Sequence, residues 1–132
     1  MTALEAAFYD EAMTTPDALA MAPLDKSPWL PVYELAATFV HPAFPVIDLG
    51  CGTGRFAELL YQRGQPSYHG YDYAPAVVAE AARYCTTDAF TFAVGDIREW
   101  EHGPGLPDEC VYVLLEVLEH LDDDLDALER IP

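Results

Sequence analysis

The residues best placed to do chemistry are acids set among glycines. In Pro45 to Phe56, PVIDLGCGTGRF, an apolar run stops at Asp48, and Gly50, Gly52 and Gly54 follow at alternate positions. Glycine reaches backbone conformations closed to other residues and lets a ligand approach without a Cβ in the way. Three of them in this pattern argue for a ligand loop rather than a plain tight connection. A dinucleotide turn spaces its glycines G-x-G-x-x-G and sets a pyrophosphate on a helix N-terminus. Here the spacing is G-x-G-x-G with an acid before it, which suits a ligand carrying an amino group better than a pyrophosphate. Further along, Glu116, Glu119 and His120 form an E-x-x-E-H cluster. An imidazole titrates near neutrality and suits a general base, so His120 is the candidate catalytic residue. Oxygen ligands with one imidazole also suit Mg or Mn. The favoured reading of Glu119 and His120 is structural, as part of a strand-to-helix turn, with the base and the metal site as alternatives.

These side chains need a frame to hold them. Val46–Leu49 reads as a short apolar strand, and Arg55–Arg63 as a helix burying Phe56, Leu59 and Leu60, stopped by Gly64. Ser67–Tyr71 is the second strand, Pro75–Tyr84 the second helix with proline at its start, Ala89–Val94 the third strand and Cys110–Leu115 the fourth. DDDLDALER supplies a last, Asp-capped helix. Upstream, Thr2-x-x-Glu5 and Thr15-Pro16-Asp17 are helix starts, and APLDKSP is a punctuated linker. A further helix from Pro31 places Val32, Leu35, Ala36, Phe39 and Val40 on one face, and HPAFP ends it. Alternation of strand and helix implies a doubly wound α/β fold with a parallel sheet, whose ligands sit beyond the carboxyl ends of the strands. Asp48, Asp72 and Asp96 then come at the ends of three successive strands.

The composition narrows the partners. At 132 residues and 52 % hydrophobic, the chain suits one domain with a real core. Its net charge of −17, from 23 acids against 6 basic residues, disfavours nucleic acid, whose binding draws on Lys and Arg. Cys51, Cys85 and Cys110 show no paired spacing and read as reduced thiols of a cytoplasmic protein. Neither a secretory signal nor a membrane-spanning run is expected. His41, His69 and His102 lack neighbours of metal spacing and read as surface or packing residues. The aromatics Phe8, Tyr9, Trp29 and Tyr33 read as helix packing, with a lid over the site as the other possibility.

VIDLGCGTGRFAELL resembles the first motif of class I S-adenosylmethionine-dependent methyltransferases, YHGYDYAP the second and FAVGDIREW the third. The resemblance runs from about Pro31 to Arg130. It implies a Rossmann-like domain over 31–132 behind an N-terminal helical or lid segment over 1–30. In that family the glycine loop cradles the amino-acid moiety of the cofactor, so Asp48, Gly50, Cys51, Gly52 and Gly54 are implied cofactor residues. Asp72, 24 residues after Asp48, would hold the ribose hydroxyls beside Tyr73; Asp96 would accept from the adenine amino group while Ile97 packs on the ring. CVYVLLEVLEHLDDD resembles the segment after the fourth strand in small-molecule methyltransferases, which adds Glu116 to the cofactor set. The implied activity is methyl transfer from S-adenosyl-L-methionine to an oxygen, nitrogen or carbon of a small molecule, leaving S-adenosyl-L-homocysteine. One alternative is a cofactor-binding fragment or pseudoenzyme. Another is a metal-assisted RNA 2'-O-methyltransferase of the Hen1 type using Glu116, Glu119 and His120. A nicotinamide dehydrogenase is disfavoured by the glycine spacing. Against the family pattern the sheet is expected to be incomplete, with about four strands and without the last three. An open edge at the fourth strand predicts self-association or a partner that completes the sheet.

Overall fold

The computed structural model describes residues 23–85 and 87–132. The helix starts at Thr2 and Thr15, the aromatics Phe8 and Tyr9, and most of the 1–30 segment lie outside them. The first described element is a 3-10 turn, Leu24–Lys26, followed by helix α1, Leu30–Ala37. Strand β1, Val46–Leu49, leads to α2, Arg55–Gln62; β2, Tyr68–Asp72, leads to α3, Pro75–Tyr84. Strand β3, Phe90–Val94, passes through a 3-10 turn at Ile97–Glu99 to β4, Val111–Val113. A third 3-10 turn, Leu118–His120, precedes α4, Asp124–Glu129.

The four strands lie in the order β3-β2-β1-β4, all parallel, as the alternating pattern requires. Strand β1 is central, with Asp48 level with Gly70 of β2 and Val113 of β4. All four of its residues are buried, because both faces of the sheet are covered. On one face Val46 joins Tyr68, Phe90 and Val113 against Phe56, Ala57, Leu59 and Leu60 of α2. On the other, Ile47 and Leu49 meet Ile97, Trp100 and Ala127 of α4. Helix α2 ends in a Schellman turn: Gly64, at φ +80°, donates to the Tyr61 carbonyl and Gln65 to that of Leu60.

Three sequence expectations need correction. The linker APLDKSP contains the Leu24–Lys26 turn, and Leu24 is a core residue beside α2. Strand β4 stops at Val113, so Leu114 and Leu115 leave the ladder, and Leu114 packs beside Ile47 and Leu49. Helix α1 turns a different stripe inward: Leu30, Tyr33, Ala36, Ala37 and Val40 pack on the core, while Leu35 is 63 % and Phe39 80 % exposed. The helix also closes at Ala37, where Phe39 donates to the Ala36 carbonyl, ahead of HPAFP.

Candidate functional site

A cleft of about 390 Å³ opens at the carboxyl ends of the strands. It collects nearly every residue singled out in the sequence. Asp48, Gly50, Cys51 and Gly52 form its floor, Asp72 and Tyr73 one wall, Asp96 and Ile97 another, and Glu116 and His120 part of its rim. Gly54 and Glu119 do not line it. Gly54 instead caps α2 in the left-handed region, packed so closely on α3 that a Cβ would lie 3.1 Å from that of Ala81.

The glycine loop is fastened from behind. Gly50 and Cys51 both donate to the Tyr71 carbonyl, at 2.7 and 2.9 Å, and Gly52 donates to Asp72 Oδ2 at 3.1 Å. Gly50 has φ +92°, and a Cβ there would sit 2.3 Å from Val117 Cγ2, so this position admits glycine alone. Gly52 has φ +55° and open space where its Cβ would be, on the cleft side.

The three strand-end acids lie in different environments. Asp48 is only 2 % exposed; Tyr68 Oη donates to its Oδ2 at 2.5 Å, while Oδ1 is buried without a donor. Burial pushes its carboxyl up to about 7, the Tyr68 hydrogen bond working against that shift and the Asp72 charge adding to it. Asp72 is also raised by burial, opposed by the backbone amides of Ala74 and Gly52. Asp96 moves the other way. Arg98 grips both of its oxygens through Nε, at 2.9 and 3.0 Å, and through Nη2, which holds its carboxyl below the usual range. Its Oδ1 also accepts from the Arg98 amide and so caps the Ile97–Glu99 turn.

Several contributors carried no clear signal in the sequence. Arg55 is 5 % exposed, bound to Glu58 at 3.0 Å and set 4.2 Å over the Tyr84 ring. Thr53, Arg98, Leu115 and Val117 line the cleft as well. Tyr33 packs on Phe56, with ring centroids 5.9 Å apart, as the packing reading expects; Trp29 is 41 % exposed, and both border the cleft. Glu116 is the one described non-glycine residue with positive φ, at 57°. Its carboxyl is raised by desolvation and by neighbouring Glu119. Among the described residues, no group of three His, Cys, Asp or Glu side chains is disposed to hold a metal ion.

The arrangement suits a ligand with a cationic or amino head at the floor and hydroxyls or an exocyclic amino group along the walls. Asp48 Oδ1 seeks a donor, Gly52 leaves open space where a Cβ would be, and each oxygen of Asp72, accepting from Gly52 or Ala74, keeps lone-pair capacity for hydroxyls. These residues fit S-adenosylmethionine. A parallel sheet with this loop and these acids defines the Rossmann-like class of S-adenosylmethionine-dependent methyltransferases. The chain belongs to the methyltransferase domain family, whose model matches residues 46–131.

The relatives agree. A trans-aconitate 2-methyltransferase of Escherichia coli is 44 % identical over 57 residues, covering 42 % of this chain and 22 % of that protein. One from Delftia acidovorans is 41 % identical over 77 residues, covering 57 % of this chain and 28 % of that protein. These matches thus span less than a third of the curated relatives' length. Among solved structures, a Haloferax volcanii methyltransferase in complex with its activator superposes with TM-score 0.65 at 26 % identity, over 97 % of this chain and 52 % of that one. A TehB-like methyltransferase of Corynebacterium glutamicum shares the fold, with TM-score 0.67 at 20 % identity, over 98 % of this chain and 66 % of that one.

Proposed function

We propose that this chain binds S-adenosylmethionine in the strand-end cleft and directs methyl transfer to a small molecule. The observation that carries the reading is Asp48: a buried carboxylate oxygen without a donor, at the floor of a glycine loop. Burying such an atom is costly unless a ligand supplies the missing partner. Asp48 with Gly50, Cys51 and Gly52 would take the amino-acid end; Asp72 beside Tyr73 the ribose; Asp96 and Ile97 the adenine, with Glu116 at the rim. Gly54 serves from behind, by setting the start of α2. When bound, the cofactor supplies a methyl already activated by a sulfonium, so the chain's task is alignment, worth about 7–11 kcal/mol where geometry is good.

His120, on the cleft rim, is the candidate base for a hydroxyl acceptor. Trans-aconitate, named for the curated relatives, is the first acceptor to test. Calorimetry with S-adenosylhomocysteine tests the binding step, and radiolabelled methyl transfer to a pool of small acids tests turnover. Transfer to an ionised carboxylate, such as those of trans-aconitate, needs no base; with a hydroxyl acceptor, His120→Ala is expected to lower turnover about 100-fold while leaving cofactor affinity within twofold. Full turnover in that variant removes the base role. Saturable binding without any transfer supports a cofactor-binding module instead.

The finer assignments belong to the same proposal. Among the described residues β4 is paired on one side alone, which supports a second copy or another strand along its outer edge. A strictly monomeric species at micromolar concentration in light scattering speaks against it. No described helix is long and apolar enough to cross a membrane, and the three cysteines are unpaired. The free thiols support a reducing compartment such as the cytoplasm.

A further inference from the structure

We propose that Tyr68 is a positioning residue for Asp48, reached through the space Gly70 leaves open, and that it sets the pH at which the cofactor binds. The inference rests on the cofactor reading above and deepens it. Tyr68 stands two residues before Gly70 on β2, and Gly70 lies level with Asp48 on β1. The Tyr68 ring must therefore reach diagonally across the position Gly70 occupies to touch Asp48. Gly70 permits this because it has no side chain: a Cβ there would sit 2.9 Å from Tyr68 Cε1, and equally close to Phe92 and Cys51. The ring is fixed from the other side by stacking on Phe90, with centroids 5.4 Å apart. Tyr68 is fully buried and does not border the cleft, so whatever it does for a ligand it does through Asp48.

The bond divides the carboxylate between two tasks. Oδ2 accepts from Tyr68, which leaves Oδ1 as the atom still seeking a donor. The ionisable groups around Asp48 are Tyr68 and Asp72 from β2, Cys51 from the loop, Tyr33 from α1, Arg55 from α2 and Glu116 from the segment after β4. Arg55 is already engaged by Glu58 and the Tyr84 ring, and Asp72 disfavours the charged form. The Tyr68 hydroxyl is thus the group that most directly favours ionised Asp48. With that carboxyl pushed up to about 7, much of it holds a proton at neutral pH. A cationic amino group arriving beside Oδ1 favours the carboxylate and expels that proton. Affinity then falls as pH drops below the midpoint, and binding there releases a proton.

Tyr68→Phe removes the hydroxyl and keeps the ring. It is expected to raise the midpoint by about one pH unit or more and to weaken binding near neutrality roughly tenfold, with recovery at higher pH. The test is calorimetry of S-adenosylhomocysteine on the full chain between about pH 6 and about pH 9.5, in two buffers of different ionisation heat, which counts released protons. Carbon-13 carboxyl NMR of the ligand-free protein follows Asp48 directly, with Asp48→Asn identifying its signal. Gly70→Ala, which displaces the ring and keeps the hydroxyl, is expected to move the midpoint the same way, and it serves as the test should Tyr68→Phe not fold. An unchanged Asp48 midpoint in whichever of these variants folds, or no proton release in the unaltered protein, overturns the inference. Absence of S-adenosylhomocysteine binding at every pH overturns the cofactor reading instead, while the NMR titration still decides whether Tyr68 governs Asp48.

Discussion

Asp48 carries a conflict between stability and the binding role proposed for it. Its folded-state carboxyl titrates at about 7 against an ordinary 3.8, with burial as the main cause. An acid raised in this way contributes stability that is fully present below about pH 4 and is lost as pH rises through about 7, a swing of order 4 kcal/mol. Above that range the protein holds a buried charge whose one hydrogen-bond donor among the described residues is Tyr68. Asn at this position does not titrate and keeps an oxygen for Tyr68, although its amide protons then need partners, which costs about 1–3 kcal/mol. Asp48→Asn is therefore expected to be about 1–3 kcal/mol more stable than the unaltered chain at pH 8, to lose that advantage by pH 5, and to bind the cofactor poorly. Urea unfolding at the two pH values measures it. Parallel pH dependence in the two proteins would show that Asp48 is not the source of the conflict. Asp96 shows the opposite arrangement: the Arg98 fork favours its charge, and its exposure keeps the burial cost small.

At the scale of elements, what the sequence disclosed depended on whether one physical signal was enough. Strand β1 and helix α3 emerge with the expected bounds because each is punctuated, the strand by Pro45 and the glycine loop and the helix by Pro75 at its start. The floor of the cleft was legible for the same reason. Its rear support was not: Tyr68 and Gly70 read as ordinary strand residues, and only the register with β1 sets them against Asp48. Helix α1 failed for another reason. Its sequence carries two apolar stripes at helical spacing, and periodicity cannot say which one meets the core. Contact between Tyr33 and Phe56 turns the Leu30, Tyr33, Ala36 stripe inward and leaves Leu35 in solvent. Leu35→Lys is accordingly expected to change stability by less than about 0.5 kcal/mol, whereas Tyr33→Ala, which empties a packed site beside the cleft, is expected to cost about 2–4 kcal/mol. Chemical denaturation of the two variants checks the assignment, and a reversed ranking would restore the stripe through Val32, Leu35 and Phe39.

For the whole molecule the governing quantity is charge. Twenty-three acids face six basic residues, and four of the arginines already sit in ion pairs, with Glu58, Glu34, Glu80 and Asp96. The pairs other than the buried Arg55–Glu58 contribute about 0–1 kcal/mol each, and each pair cancels only one acid, so the unbalanced acids dominate the long-range field. That field has two consequences with opposite dependence on salt. Self-repulsion opposes the folded state, so raising salt toward about 1 M, where the Debye length falls to ~3 Å, is expected to raise the melting temperature. The same field attracts a cation to the cleft. S-adenosylmethionine carries a sulfonium charge that S-adenosylhomocysteine lacks, so association of the first should slow with added salt more steeply than that of the second. Stopped-flow binding of both ligands across a salt series, set beside thermal melts of the same samples, measures both effects. Melting temperatures that fall with salt would mean that the four ion pairs outweigh the repulsion. Equal salt slopes for the two ligands would mean that the acidic surface has no part in drawing the cofactor to Asp48.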